Sequence, residues 1–149
     1  MRESITIPFC DVDAYNIVHN VNYFRYFDRG RFMLVDRFLR RERPPEIGRY
    51  LFLVLKTACK YQVPAFLGDE LLLETSFTCD LEQVSSQVNL DHQLFHSAKG
   101  SPICRGTTTL GICDRAYRLV YRMPEDVKQY LAEQVAYYRA RTTPSVSVH

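Results

Sequence analysis

Tryptophan is absent from this 149-residue chain and glycine is scarce, with six in all. No glycine-rich phosphate loop, G-x-G-x-x-G fingerprint, G-x-S-x-G elbow or H-E-x-x-H pair occurs in it. Each of those chemistries needs its residues at that spacing to gather backbone N–H groups, a nucleophile or metal ligands, so P-loop, dinucleotide-binding, elbow-serine and zincin readings drop out. No stretch reaches about eighteen uncharged apolar residues, which argues against a membrane-spanning helix. The first residues, MRESITIPFCDVD, bring acids early and hold no apolar signal core, so a secretory leader is not expected. The five cysteines, Cys10, Cys59, Cys79, Cys104 and Cys113, are odd in number and lack C-x-x-C spacing. Buried free thiols in a reducing compartment are expected, with the cytoplasm as the default location. Charge of one sign is also missing: nineteen Lys and Arg against seventeen Asp and Glu leave +2, too little to suggest nucleic acid or a membrane surface. A small molecule is the expected partner.

What is present reads as one globular domain. Hydrophobic residues make up 46% and charged residues 24%, close to the average for soluble domains. The expected domain runs over residues 1–138, with 139–149 as a frayed tail. Ile5, Ile7 and Phe9 alternate with polar residues and Pro8, predicting a short edge strand. From about Asn20 to Arg40 the pattern is helical, with Tyr23, Phe27, Leu34 and Phe38 on one face and Val21, Phe24, Phe32 and Val35 on others. A helix so apolar all round is expected to be wrapped by other elements. Arg37, Arg40, Arg41 and Arg43 collect at its end, complementing the helix dipole, before Pro44 and Pro45 stop it. Four strands follow, Leu51 to Tyr61, Leu71 to Cys79, Gln87 to Phe95 and Ile103 to Cys113, with turns at Pro64–Asp69 and Ser97–Ser101. A simple antiparallel meander is the economical topology. Pro124, Glu125 and Asp126 open a closing helix carrying Val127, Leu131, Val135 and Tyr138 on one side.

Chemistry is best placed where Asp11-x-Asp13 leads into the buried helix, with His19, Asn20 and Asn22 close behind. A helix N-terminus presents unpaired N–H groups and a positive dipole end, able to polarise a carbonyl and hold the oxyanion formed on attack. A nearby carboxylate supplies a nucleophile or a base for water. The bland alternative is that Asp11 and Asp13 only cap turns or the helix. Asp11, Asp13 and His19 match no metal-ligand rhythm, so no metal is expected. Cys10, beside acids, is a poor thiolate nucleophile, and His92 and His96 read as hydrogen-bonded structural imidazoles within a strand.

The run D11-V-D13-A-Y-N16-I-V-H19-N20-V-N22-Y23-F-R-Y-F-D28-R-G-R31 resembles the signature of the hotdog-fold acyl-CoA thioesterases of the 4-hydroxybenzoyl-CoA thioesterase type, D-x-D-x-x-G-[VI]-V-[HY]-[HY]-x-N-Y followed by aromatics and E-x-A-R. Pro64-Ala-Phe-Leu-Gly68-Asp69 is similar to the family's P-x-x-x-G-D turn, and Asp114 and Pro124-Glu125 continue the likeness. The resemblance implies an α+β hotdog fold, an antiparallel sheet wrapped around one long central helix. It implies a thioesterase acting on acyl-CoA or an acyl carrier protein, with coenzyme A part of the substrate and no separate cofactor. By position, Asp13 is the catalytic carboxylate and the Asn20 backbone N–H polarises the carbonyl. His19 orients the acid or the carbonyl, and Asn22 and Tyr23 shape the acyl pocket. A homo-oligomer, dimer or tetramer, with sites between subunits is implied as well. Three positions depart from the pattern. Asn16 stands for Gly but tolerates a left-handed backbone. Asp28 stands for Glu, with a surface or interfacial pair to Arg25 or Arg31 and a second catalytic acid as its two readings. Gly30 stands for Ala and suggests close approach of another backbone. The rivals are a hotdog hydratase or dehydratase, a non-catalytic acyl-thioester binding module, and an interaction protein whose acids are only caps.

Overall fold

The computed structural model describes residues 1–40, 47–78 and 86–142. Its elements are β1 (Arg2–Thr6), α1 (Asn20–Arg40), β2 (Leu51–Tyr61), β3 (Glu70–Phe77), β4 (Gln87–His96), β5 (Pro102–Cys113) and α2 (Glu125–Thr142). The strands form one antiparallel sheet in the order β1-β3-β4-β5-β2, with α1 packed on one face, as the hotdog fold requires.

Only β3, β4 and β5 form the expected meander. β2 precedes β3 in sequence yet lies at the opposite edge, beside β5. Alternation of side chains shows which face a strand buries, but not which neighbour it pairs with. The consequence is functional, because residues 62–69 must return to β3, and on the way they bind the loop that leads into α1. Val18 N–H donates to Ala65 O at 2.9 Å, Leu67 N–H to Asn16 O at 3.3 Å and Gly68 N–H to Ile7 O at 3.0 Å.

The face of α1 toward the sheet carries Tyr23, Tyr26, Phe27 and Leu34, each 3% exposed or less, and burial of such a side chain contributes about 2 kcal/mol. Two glycines let the helix sit this close. A Cβ on Gly106 would lie 2.2 Å from the Phe27 ring, and one on Gly30 would lie 2.2 Å from Thr75 Oγ1. The close approach expected at Gly30 is therefore to a threonine side chain and not to another backbone. The core has two lobes. Around the first half of α1 are Ile5, Ile7, Val18, Leu71, Leu73 and Leu94. Around its second half are Ile47, Val88, Leu90, Leu110 and Ile112, closed by Val127 and Leu131 of α2.

Three further expectations change. β1 ends at Thr6, and Phe9 begins a short 3-10 turn and is 78% exposed, because Pro8 offers no N–H to continue a ladder. The sheet packs around α1 as expected, but Val21 and Phe32, among the apolar positions expected to be covered, face outward in the single chain. α2 continues to Thr142, into the segment expected to fray, since nothing in Tyr137 to Thr142 breaks a helix. Residues 143–149, Cys79, Arg41, Arg43, Pro44 and Pro45, together with the side chains of Arg37, Phe38, Arg40 and Tyr138, lie outside the described residues. No described helix is long and apolar enough to cross a membrane. Cys59, Cys104 and Cys113 are free and at least partly buried, but Cys10 is free and exposed because the 3-10 turn lifts it from the sheet.

Candidate active site

Residues 11–19 fold back as a small hairpin beside the start of α1. Val12 bridges Val18, Asp13 N–H donates to Ile17 O at 2.9 Å, and His19 N–H donates to Asp11 O at 2.9 Å. Its tip turns at Asn16, whose φ of 60° lies in the left-handed region. Asparagine there bears the conformation that glycine would adopt more easily.

The two acids of this hairpin have separate roles. Asp11 is buried at 7% exposure, and its Oδ2 accepts a 2.6 Å hydrogen bond from Tyr26. Arg25 Nη1 stands 3.7 Å from Oδ1, and the Asp11 carbonyl also accepts from Asn22 Nδ2 at 2.8 Å. Asp11 thus bolts the hairpin to the first turns of α1. Burial, and then the hydrogen bond to Asp11, push the Tyr26 phenol well above its ordinary range. Asp13 is exposed. Its Oδ1 accepts from the N–H of Tyr15 at 2.8 Å and of Ile17 at 3.4 Å, an Asx-type turn. No described contact engages Oδ2.

His19 is the N-cap of α1. Its carbonyl accepts from Asn22 N–H at 2.9 Å and its Nδ1 from Val21 N–H at 3.4 Å, with the ring exposed. That leaves Asn20 as the first helical residue, and its N–H is one that a helix leaves without an intrahelical acceptor. Asn22 is buried, taking a 3.2 Å hydrogen bond from Arg25 on Oδ1 as well as donating to Asp11. Asp28 pairs with Arg31 through both Nε and Nη2 on the helix surface.

A cleft of about 260 Å³ opens at this corner, lined by Ile17, Val18, Asn20, Tyr23, Tyr61 and Val63 among others. Asp13 does not line it, but Ile17, its partner across the hairpin, does. Asn20, Tyr23 and the hairpin therefore converge as the sequence suggested. Tyr26 and Tyr61 were not foreseen, and Asp11 has a structural use, as the bland alternative allowed, but through the Tyr26 hydroxyl. Tyr26 sits four residues past Asn22, on the face that meets Asp11, and that spacing was its available signal. Tyr61 looked like any strand-end aromatic. Burial raises the Tyr23 phenol to about 12, so it stays protonated. Of the strand histidines, His92 is hydrogen-bonded through both nitrogens. His96 is not: its Nε2 lies 3.7 Å from Asp69 and its buried Nδ1 has no partner.

Residues 7–131 match the thioesterase-like superfamily. The chain belongs to that superfamily. Solved structures agree on the fold. The chain is similar to the probable thioesterase YbaW of Escherichia coli, with TM-score 0.74 and 16% identity, covering 91% of this chain and 98% of that one. It is similar to Slr0204, a 1,4-dihydroxy-2-naphthoyl-CoA thioesterase from Synechocystis, with TM-score 0.69 and 13% identity over 91% and 94% of the two chains. It is also similar to SAV2348 of Staphylococcus aureus, solved in complex with CoA, with TM-score 0.70 and 16% identity over 99% and 88%. In sequence, an Aquifex aeolicus protein is 37% identical over 68 residues, which are 42% of this chain and 49% of that protein. The match thus spans about half of that relative's length.

Proposed function

We propose that the chain hydrolyses acyl thioesters, of coenzyme A or of an acyl carrier protein, with Asp13 as the carboxylate and the Asn20 N–H as the oxyanion donor. The supporting observation is the hairpin 11–19, which carries the exposed Asp13 carboxylate and leads directly into Asn20, which lines an apolar cleft at the start of the helix. Asp13 attacks the thioester carbonyl, or takes a proton from the water that does, while Asn20 N–H and the helix dipole stabilise the developing oxyanion. The thiolate departs without needing strong acid assistance, unlike an amine, and where Asp13 attacks, water then cleaves the mixed anhydride to release the acid and restore the carboxylate. His19 sets the N-terminus of α1, and Asn22 holds the hairpin in place. No metal and no separate cofactor enter this chemistry.

A thiol-release assay over a panel of acyl-CoA esters, with matched amides as controls, tests the reading. Thiol release with negligible amide cleavage supports it. Calorimetric binding without release by every member of a broad panel contradicts it and favours the binding-module rival.

The same reading includes a homo-oligomer of at least two chains, supported by β2. This edge strand exposes Leu53, Val54 and Leu55, and an apolar edge that the described strands leave open favours pairing with another chain. Sedimentation at micromolar concentration showing only a 17.4 kDa species would contradict it.

A further inference from the structure

At the cleft wall, Tyr61 stands edge-on to Tyr23, their ring centroids 5.2 Å apart and their planes at 70°. Both rings are tethered. The Tyr23 oxygen accepts from Ala65 N–H at 3.4 Å, and Tyr61 O–H donates to the Asn20 carbonyl at 3.2 Å. The second tether holds the Tyr61 ring next to the residue whose N–H meets the substrate in the proposed reaction. Tyr23 is a core residue at 3% exposure, whereas Tyr61 is 47% exposed. Of the two, Tyr61 can change with little loss of packing.

We infer that Tyr61 sets the size of the acyl group this cleft admits, and that the group is compact, a short chain or a single ring. This inference rests on the cleft being the acyl end of the proposed thioester site. The cleft that one chain forms, about 260 Å³, falls below the roughly 300–1,000 Å³ that holds a drug-sized ligand, which suits a compact acyl group at this wall. An edge-to-face tyrosine pair also offers a ring a further aromatic edge or face to pack on. Behind Tyr61 the side chains are small. Cys104 is its direct partner across the β2–β5 register, and Cys59 lies two residues earlier on β2, packed on the same core lobe. Burial holds the thiols of both above their ordinary range, so this space is neutral. Trimming Tyr61 should lengthen the cleft along the inner side of β2, toward these two cysteines.

The test is kcat/KM for a saturated series from acetyl-CoA to palmitoyl-CoA, with benzoyl-CoA added, on the wild type, Tyr61→Phe, Tyr61→Leu and Tyr61→Ala. The wild type should favour the short and single-ring members. Tyr61→Ala should raise the long-to-short ratio about tenfold or more, the scale of even one methylene newly accommodated. Tyr61→Leu should move it the same way by less, which covers the case in which Tyr61→Ala fails to fold. Tyr61→Phe keeps the ring and should keep the ratio. Equal loss across the series in Tyr61→Ala and Tyr61→Leu, or a wild type that favours palmitoyl-CoA, overturns the inference and leaves hydrolysis standing. Binding of the same series, measured by calorimetry on Asp13→Asn and on its double variant with Tyr61→Ala, judges the size limit independently of turnover. If the wild type released no thiol, the proposed reaction would fail. The binding profile would still uphold or overturn Tyr61.

Discussion

His92 lies under the middle of α1, 1% exposed, with Nδ1 3.0 Å from the Thr75 hydroxyl, Nε2 3.0 Å from that of Thr108, and its ring stacked on Phe27 at 4.8 Å. At the N-terminal end of the same helix, Asn20 offers an N–H with no intrahelical acceptor and Asp13 an exposed carboxylate. Every donor and acceptor in the first region is spent on the protein itself, so its contribution is to stability. The second region leaves capacity unspent, with Asn20 lining a cleft, and it is this unspent capacity that the proposed reaction uses. Asp11 shows that the division is not by sequence position. It lies two residues from Asp13 and belongs with His92 in kind, buried and bound to Tyr26.

The closed region should show itself most strongly through acid. Burial lowers the His92 pKa to about 4, opposed by nearby Asp28 and assisted by Arg31, whereas the unfolded chain titrates near the ordinary value of about 6.5. Between those values the unfolded state binds the extra proton. Stability from this group is therefore complete above about pH 6.5 and is lost as the pH falls toward 4, by about 3 kcal/mol in all. Denaturant unfolding from pH 7.5 to 4 should show this loss in the wild type, and His92→Gln should lack that share of it. Parallel pH profiles for the two proteins would mean that the imidazole is not held neutral.

A smaller effect is expected at Tyr26. Tyr26→Phe leaves the buried Asp11 carboxylate without its closest donor and should cost about 2 kcal/mol, read as a lower denaturation midpoint, with the ranking of acyl substrates unchanged. An unchanged midpoint would remove Asp11 from the closed class. Smallest is Asn16→Ala, which places a less tolerant residue at positive φ and should cost about 1 kcal/mol. Asn16→Gly should match the wild type or exceed it slightly. If Ala and Gly behaved alike in thermal melts, the hairpin tip would not depend on its left-handed residue.

Much of this arrangement is legible in the residues. The bounds of α1, the spans of β2 to β5 and the alternating burial of β4 follow from periodicity, and the DxD to Asn-Tyr spacing locates the corner. Pairing across the sheet is not legible, because alternation is silent about neighbours, so the crossing of 62–69 over the hairpin came only from the structure. The fate of each acid is equally hidden, since Asp11 and Asp13 carry the same side chain and differ only in which way the hairpin turns it. Tyr61 reaches the site solely because β2 lies at the edge next to β5.

The different fates of Asp11 and Asp13 define the most direct test. Asp13→Ala would remove both the carboxylate and the acceptor of the Asx-type turn, whereas Asp13→Asn keeps an oxygen for Tyr15 and Ile17 N–H and removes only the charge and its nucleophilic or basic capacity. The measurement is kcat for thiol release by Asp13→Asn on the best acyl-CoA substrate, beside its melting temperature. Turnover should fall about a hundredfold or more at an unchanged melting temperature. Turnover near the wild-type rate would contradict it and reduce Asp13 to a turn-forming residue.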